Sequence, residues 1–319
     1  MDYLDISDRE HGFALLAAGP GTPGPAAHPM PNFHPERALS PNSSMGSFRA
    51  QPSVSGAAAM PLFAAACLVA VLLKPAAVAV PLAAASILAS AAFARAMRAR
   101  MVEVDPAIIA AFSAALIAVA ALRPAVFLPS IAVAILLTLV WNMRKIEHPG
   151  LADALFAPAL GLVLCGVMPA HVALAAVSVF AGGESMGRAF VVIYLFAGSA
   201  SLLATGVAER SLRDRLYGPA SLLLAADVAG GMASLLVCLI ASTLRKPAAS
   251  TLAFAALALA IEAGIAIGRR LSDVFATGGR DPEEIVDPAL ARDTAALSIF
   301  ISAGFSGAIA FYVGRLFFV

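Results

Sequence analysis

Charge is scarce in this sequence. Asp, Glu, Lys and Arg make up 13% of the 319 residues, and hydrophobic residues 61%, whereas a soluble domain carries about 25% charged residues. Lysine occurs only at 74, 145 and 246. The net charge of +1 is spread without a basic stripe, which excludes a nucleic-acid-binding face. The three cysteines, Cys67, Cys165 and Cys238, lie far apart inside apolar runs, with no C-x-x-C pair. They read as small buried hydrophobes and not as disulfide or metal positions. H-E-x-x-H, G-x-x-x-x-G-K-[ST] and Cys/His groupings are all missing, so neither a metal nor a cofactor is expected. Met1 is not followed by a basic and then an apolar region, as a cleavable signal peptide would require.

What the sequence has in abundance is apolar runs long enough to cross about 30 Å of hydrocarbon. They fall near 56–73, 76–94, 106–122, 125–141, 154–182, 189–207, 218–243, 248–268 and 294–317. Backbone groups in lipid must be satisfied internally, and no period-2 alternation suggests a barrel, so the runs are helices. The expected fold is all-α: a polytopic integral membrane helix bundle of about nine transmembrane helices (eight to ten), spanning residues 56–319. Its first solvent is the lipid bilayer.

Residues 1–55 differ in character. From Gly19 to Ser55 they are rich in Pro, Gly, Ser and Ala, too poor in apolar surface to offset ordering entropy, so this tail is expected to be disordered. The tail and the small-residue helix faces are where protein partners would dock. His28 and His34 have no carboxylate or thiol company there and read as bystanders.

Leu73-Lys74-Pro75-Ala76, Leu122-Arg123-Pro124-Ala125 and Arg245-Lys246-Pro247-Ala248 each join two apolar runs. A basic residue can snorkel to the interface, and Pro suits the first turn of a following helix. Positive charge orients such a chain. With nine helices and a cytoplasmic N-terminus, the inner side holds 12 basic residues: Arg95, Arg98, Arg100, Arg144, Lys145, Arg210, Arg213, Arg215, Arg269, Arg270, Arg280 and Arg292. The outer side holds 6: Lys74, Arg123, Arg188, Arg245, Lys246 and Arg315. Splitting 154–182 at Met168-Pro169 gives ten helices and removes the bias, so nine is favoured. A bacterial inner membrane with the N-terminus inside is the expected location. Arg210, Arg213 and Arg215, with Glu209 and Asp214 among them, read as a basic turn against lipid headgroups. The polar loop 269–293 reads as a solvated cytoplasmic connection.

Asp227 and Glu262 stand out as acids inside spanning segments. A carboxylate at depth is costly unless paired, protonated or wetted, which makes such acids functional candidates. Asp227 lies about 18 residues before the Arg245–Lys246 turn and Glu262 about 17 after it, so at about 1.5 Å per residue the two sit at nearly the same depth on antiparallel neighbours. Two such groups can share a proton and couple to a proton or cation; the alternative is packing specificity through a hydrogen bond to a neighbour. Gly264-Ile265-Ala266-Ile267-Gly268 is a GxxxG that marks close helix packing.

A second candidate is the long run 154–182. Met168-Pro169-Ala170-His171 sits at its middle, and Pro breaks or kinks a helix. Interrupted helices often build transporter sites, which would place His171 at mid-membrane; the alternative reading makes the same residues an interfacial hairpin turn. Gly183-Glu184-Ser185-Met186-Gly187 fits G-x-S-x-G, but that triad needs a His after the Ser and none follows. The segment reads instead as a loop where Glu184 and Arg188 line an entrance.

These readings point to a proton- or cation-coupled secondary transporter or exporter of a small solute, with Asp227 and Glu262 as coupling pair and His171 and Glu184 near the substrate. The alternative is a non-catalytic transmembrane subunit or assembly factor of a larger complex. Enzymatic chemistry is disfavoured, because clustered acids, His or metal ligands near the interface are missing.

Overall fold

The computed structural model describes residues 54–100, 102–143, 151–178, 184–212, 215, 219–244, 251–277 and 288–318. Residues 1–53 of the expected tail, the Arg245–Lys246 turn and residues 278–287 of the expected 269–293 loop lie outside them; the rest of that loop is helical, in the end of α9 and the start of α10. Every regular element among the described residues is helical. The α-helices are α1 (Val54–Leu73), α2 (Ala79–Arg98), α3 (Pro106–Leu122), α4 (Phe127–Met143), α5 (Leu151–Leu162), α6 (Met168–Val177), α7 (Glu184–Leu212), α8 (Pro219–Leu244), α9 (Thr251–Thr277) and α10 (Pro288–Phe317). Seven helical stretches among the described residues are long and apolar enough to cross a membrane, and two further apolar helices, Leu62–Leu73 and Pro106–Leu122, are shorter. The protein is a multi-pass helical membrane protein.

The turn chemistry works locally as its residues dictate. Pro75 and Pro124 each open a short 3-10 turn, Pro75–Val78 and Pro124–Val126, that leads into α2 and α4. Their missing N–H groups fall where no intrahelical acceptor exists. Asp105 caps α3: its carboxylate accepts from the Ala107 N–H at 3.1 Å, with Pro106 in the first turn.

The run around Pro169 is neither broken nor a hairpin. Helix continues from Leu151 to Val177, with α5 and α6 joined by a π-helical turn over Val163–Val167. Pro169 has no N–H to give the carbonyl four residues earlier, so the ladder widens by one residue there. The Met168 N–H reaches back to the Val163 carbonyl. The orphaned Cys165 carbonyl is taken over by another helix, accepting from Ser86 Oγ at 2.5 Å. This corrects both readings of the segment, the interrupted helix and the ten-helix split, because the backbone groups that Pro169 frees are satisfied inside protein. Residues Leu155–Val177 form one span, and most of it is buried, whereas Pro124–Met143 is mostly exposed. The α5–α6 helix is therefore the inner post of the bundle, while α4 faces outward.

Basic helix ends gather on one side. Arg95 near the end of α2 forms a two-bond pair with Asp293 near the start of α10, at 2.5 and 2.9 Å. Arg100 donates to the Val274 carbonyl near the end of α9.

Helices α9 and α10 pack backbone against backbone. Gly264 and Gly268 lie directly against the backbone of Ser306 and Ser302. A Cβ on Gly264 would stand 2.5 Å from Ser306 N, and one on Gly268 2.7 Å from Ser302 N. The GxxxG is a contact surface, as small residues at membrane helix crossings require.

Candidate functional site

Helix α7 carries Ser201, Thr205 and Glu209 at four-residue spacing, so the three stack on one helical face. That face meets α8 and α9. Ser234 Oγ donates to the Ala258 carbonyl at 3.2 Å, and Glu262 lies against Gly230 and Gly231, which fixes the register of the antiparallel α8–α9 pair. A polar seam results, and it divides into two parts.

The first part is an ion cluster near the helix ends. Arg269 spans two acids: its Nη1 donates to Asp227 Oδ1 at 2.6 Å and its Nη2 to Glu209 Oε1. Arg270 Nη2 adds a longer bond of 3.3 Å to Asp227 Oδ2 from a half-exposed position. Two carboxylates and two guanidiniums balance in charge, and charge-assisted bonds of this kind are the strong ones.

The second part centres on Glu262, near the midpoint of the span Thr251–Ser272. Its Oε2 accepts from Ser201 Oγ at 2.5 Å. Its Oε1 is buried and has no hydrogen-bond partner among the described residues, and the same holds for Thr205 Oγ1. No ion pair among those residues reaches Glu262. Three oxygens converge over the bare Cα of Gly230: a Cβ built there would lie 2.8 Å from both Glu262 Oε2 and Ser201 Oγ, and would press on Thr205 Oγ1.

Asp227 and Glu262 therefore sit on facing helices of one seam, but in different settings. Glu262 is level with Gly230 and Gly231, while Asp227 turns towards the helix ends to meet Arg269. His171 is elsewhere, buried on α6. Its Nδ1 lies 2.8 Å from the Val167 carbonyl, which accepts the ring N–H, and its Nε2 lies 3.2 Å from Tyr312 Oη. Phe127 packs edge-on against the ring at 5.4 Å, and Phe311 lies at 5.8 Å. The imidazole thus ties the π-turn to α10 and is not joined to the acids. Glu184 opens α7, and its side chain lies outside the described residues. Ser185 occupies the first turn of that helix, not a strand-to-helix elbow. Arg188, one turn on, buries an Nε with no hydrogen-bond partner among the described residues.

No protein-family model, curated protein or solved structure matches this chain. Its function has to be argued from the site.

Sequence reasoning missed Ser201, Thr205, Gly230 and the role of Arg269. The signal was present: Ser201-x3-Thr205-x3-Glu209 is a polar stripe on an otherwise apolar helix. Glu209, read as part of a headgroup-contacting turn, is instead a ligand of Arg269. Beside the seam lies a narrow apolar cleft, lined among others by Phe63, Cys67, Pro169, Tyr194, Leu202 and Ile265. Leu202 adjoins Ser201 and Ile265 is one turn from Glu262, so cleft and seam share walls.

Proposed function

We propose that the protein is a proton- or cation-coupled secondary transporter of a small solute, with Glu262 as the coupling group. The observation that carries this reading is the Glu262 carboxyl near mid-span, with one oxygen buried and, among the described residues, neither a hydrogen-bond partner for that oxygen nor a salt bridge. A bare carboxylate at that depth costs several kcal/mol, so it must take up a positive particle or be wetted, and intramembrane acids in this position are functional by default. Asp227 takes a different part in this reading. Its charge is matched by Arg269 and Arg270, so it anchors the helices between which Glu262 works. The adjoining cleft is the natural place for the solute, because binding there would press on Leu202 and Ile265 and so on the seam. Nine helices, a cytoplasmic N-terminus and a bacterial inner membrane complete the proposal, from the bias of basic residues.

The test needs no substrate. Infrared difference spectra of the purified protein across a pH series should contain a carboxylic-acid C=O band that disappears in Glu262→Gln. If the variant's spectra match those of the wild type, Glu262 does not exchange a proton over that range. If solute flux, once a substrate is found, keeps its ion dependence in the same variant, the coupling role is refuted.

The rival reading, a non-catalytic subunit, is supported by the bare outer faces of the bundle. Most of α4 and of α8 is not buried within the bundle, which leaves room for other helices as well as lipid. Purification in mild detergent separates the two: a stoichiometric multi-protein particle favours the subunit.

A further inference from the structure

We propose that Ser201, Thr205 and Glu262 form a binding site for a dehydrated sodium ion over Gly230. The proposal deepens the coupling reading, on which it rests, by naming the particle.

The strongest reason is Thr205. A Ser or Thr inside a helix ordinarily returns its hydroxyl to the carbonyl four residues earlier. Ser90, Ser130, Thr138, Ser178 and Ser272 all do so here, at 2.6–2.8 Å. Thr205 does not, although it is 3% exposed, and its oxygen has no partner among the described residues. It lies over Gly230 instead, beside the carboxylate and Ser201. Ser113 and Ser302 also leave buried hydroxyls unpartnered. Each of those is pressed against a glycine, Gly166 or Gly268, whose nearest neighbours all belong to the serine itself. At Gly230 alone of these three does a carboxylate share the contact.

A proton alone would not need this arrangement. A carboxyl group that only carries a proton requires one hydrogen-bond acceptor, and an intact Thr205 hydroxyl and a bare Gly230 would be incidental. A hard cation behaves differently, because it requires several oxygens converging on one space. Ser201 Oγ, Thr205 Oγ1 and the two Glu262 oxygens supply up to four. Ser201 gives its proton to Oε2 and keeps lone pairs for an ion. The missing side chain of Gly230 lets these oxygens close in together against the α8 backbone, whereas Gly231 meets only the Glu262 Cγ, at an ordinary 3.5 Å. One positive charge neutralises Glu262, whose neighbours Arg269 and Arg270 are committed to Glu209 and Asp227.

The experiment is melting of the full-length protein in mild detergent, with NaCl exchanged for KCl or choline chloride at constant ionic strength. A ligand that binds the folded state raises Tm with the logarithm of its concentration. The wild type should show that rise for sodium and not for potassium or choline. Thr205→Val keeps the shape and removes the oxygen, and it should lose the sodium response while remaining folded. Thr205→Ser should restore it, and Glu262→Gln should abolish it. Retention of radioactive sodium by the same variants gives a second readout that does not depend on unfolding. Equal Tm in sodium and choline, with no sodium retained by the wild type, would overturn the site. If the Glu262 carboxylic band still titrates in that case, coupling by protons survives and sodium alone falls. If that band is also missing, both readings fall together. An undiminished sodium response in Thr205→Val would likewise overturn the proposal.

Discussion

Replacing Gly264 by Ala should separate α9 from α10. The added methyl would stand 2.5 Å from Ser306 N and 2.8 Å from the Phe305 carbonyl carbon. Both are backbone atoms that cannot rotate away. Restoring ordinary van der Waals spacing requires the helices to part by ~1 Å at that level. Overpacking of this kind costs about 1–3 kcal/mol, and here the upper half of that range is expected because the obstacle is main chain. Gly268→Ala should behave alike, since its methyl would meet Ser302 N at 2.7 Å. The double substitution should cost less than the sum, because one displacement of α10 relieves both contacts. Gly206→Ala is the control: nothing lies within 4 Å of a Cβ at that position. A methyl there removes unfolded-state freedom and should stabilise by about 0.5–1 kcal/mol. Equilibrium unfolding in a mild detergent titrated with SDS reads all four. The sign must differ between Gly264 and Gly206. A Gly264→Ala protein as stable as the wild type, or a Gly206→Ala protein as unstable as Gly264→Ala, would refute the packing argument.

Arg269→Met should destabilise by about 1.5–3 kcal/mol, because it removes the charge-assisted hydrogen bonds to two part-buried carboxylates; neutralising them as well, with Asp227→Asn and Glu209→Gln, should recover most of the loss, measured by the same unfolding titration. Reporter fusions after Asp293 and after Val319 should report opposite sides of the membrane, the former cytoplasmic; matching sides would undo the proposed topology.

The membrane character of the fold was legible because length and apolarity decide it, with little help from tertiary context. The GxxxG of α9 was legible for the same reason, since two glycines at that spacing serve a crossing whatever the partner. The Pro169 segment was not. Proline's local rule predicts a break, and what overrides it is Ser86 on a distant helix, supplying the hydrogen bond that the ring removes. The acids were found by their rarity in apolar runs, and their helices do face one another. Their different partners were hidden because side-chain direction depends on rotational phase, which depth counting from a turn does not contain. In the sequence Arg269 is only one of the basic residues that mark the inner side, and its reach to both Asp227 and Glu209 appears only once three helices are packed. Thr205 looked like any helical threonine; what sets it apart is a hydrogen bond it does not make.

The shared guanidinium of Arg269 has a consequence for biogenesis. Asp227 is made 42 residues, and Glu209 60 residues, before the arginine that neutralises them. At about 5–20 residues per second of synthesis, α8 emerges with its acid unmatched for about 2–8 s. A helix in that condition is poorly suited to enter lipid alone. Helices α7, α8 and α9 should therefore leave the insertion machinery as a group, held until Arg269 arrives, so that a ribosome stalled between Asp227 and Arg269 would leave α8 extractable and sensitive to protease.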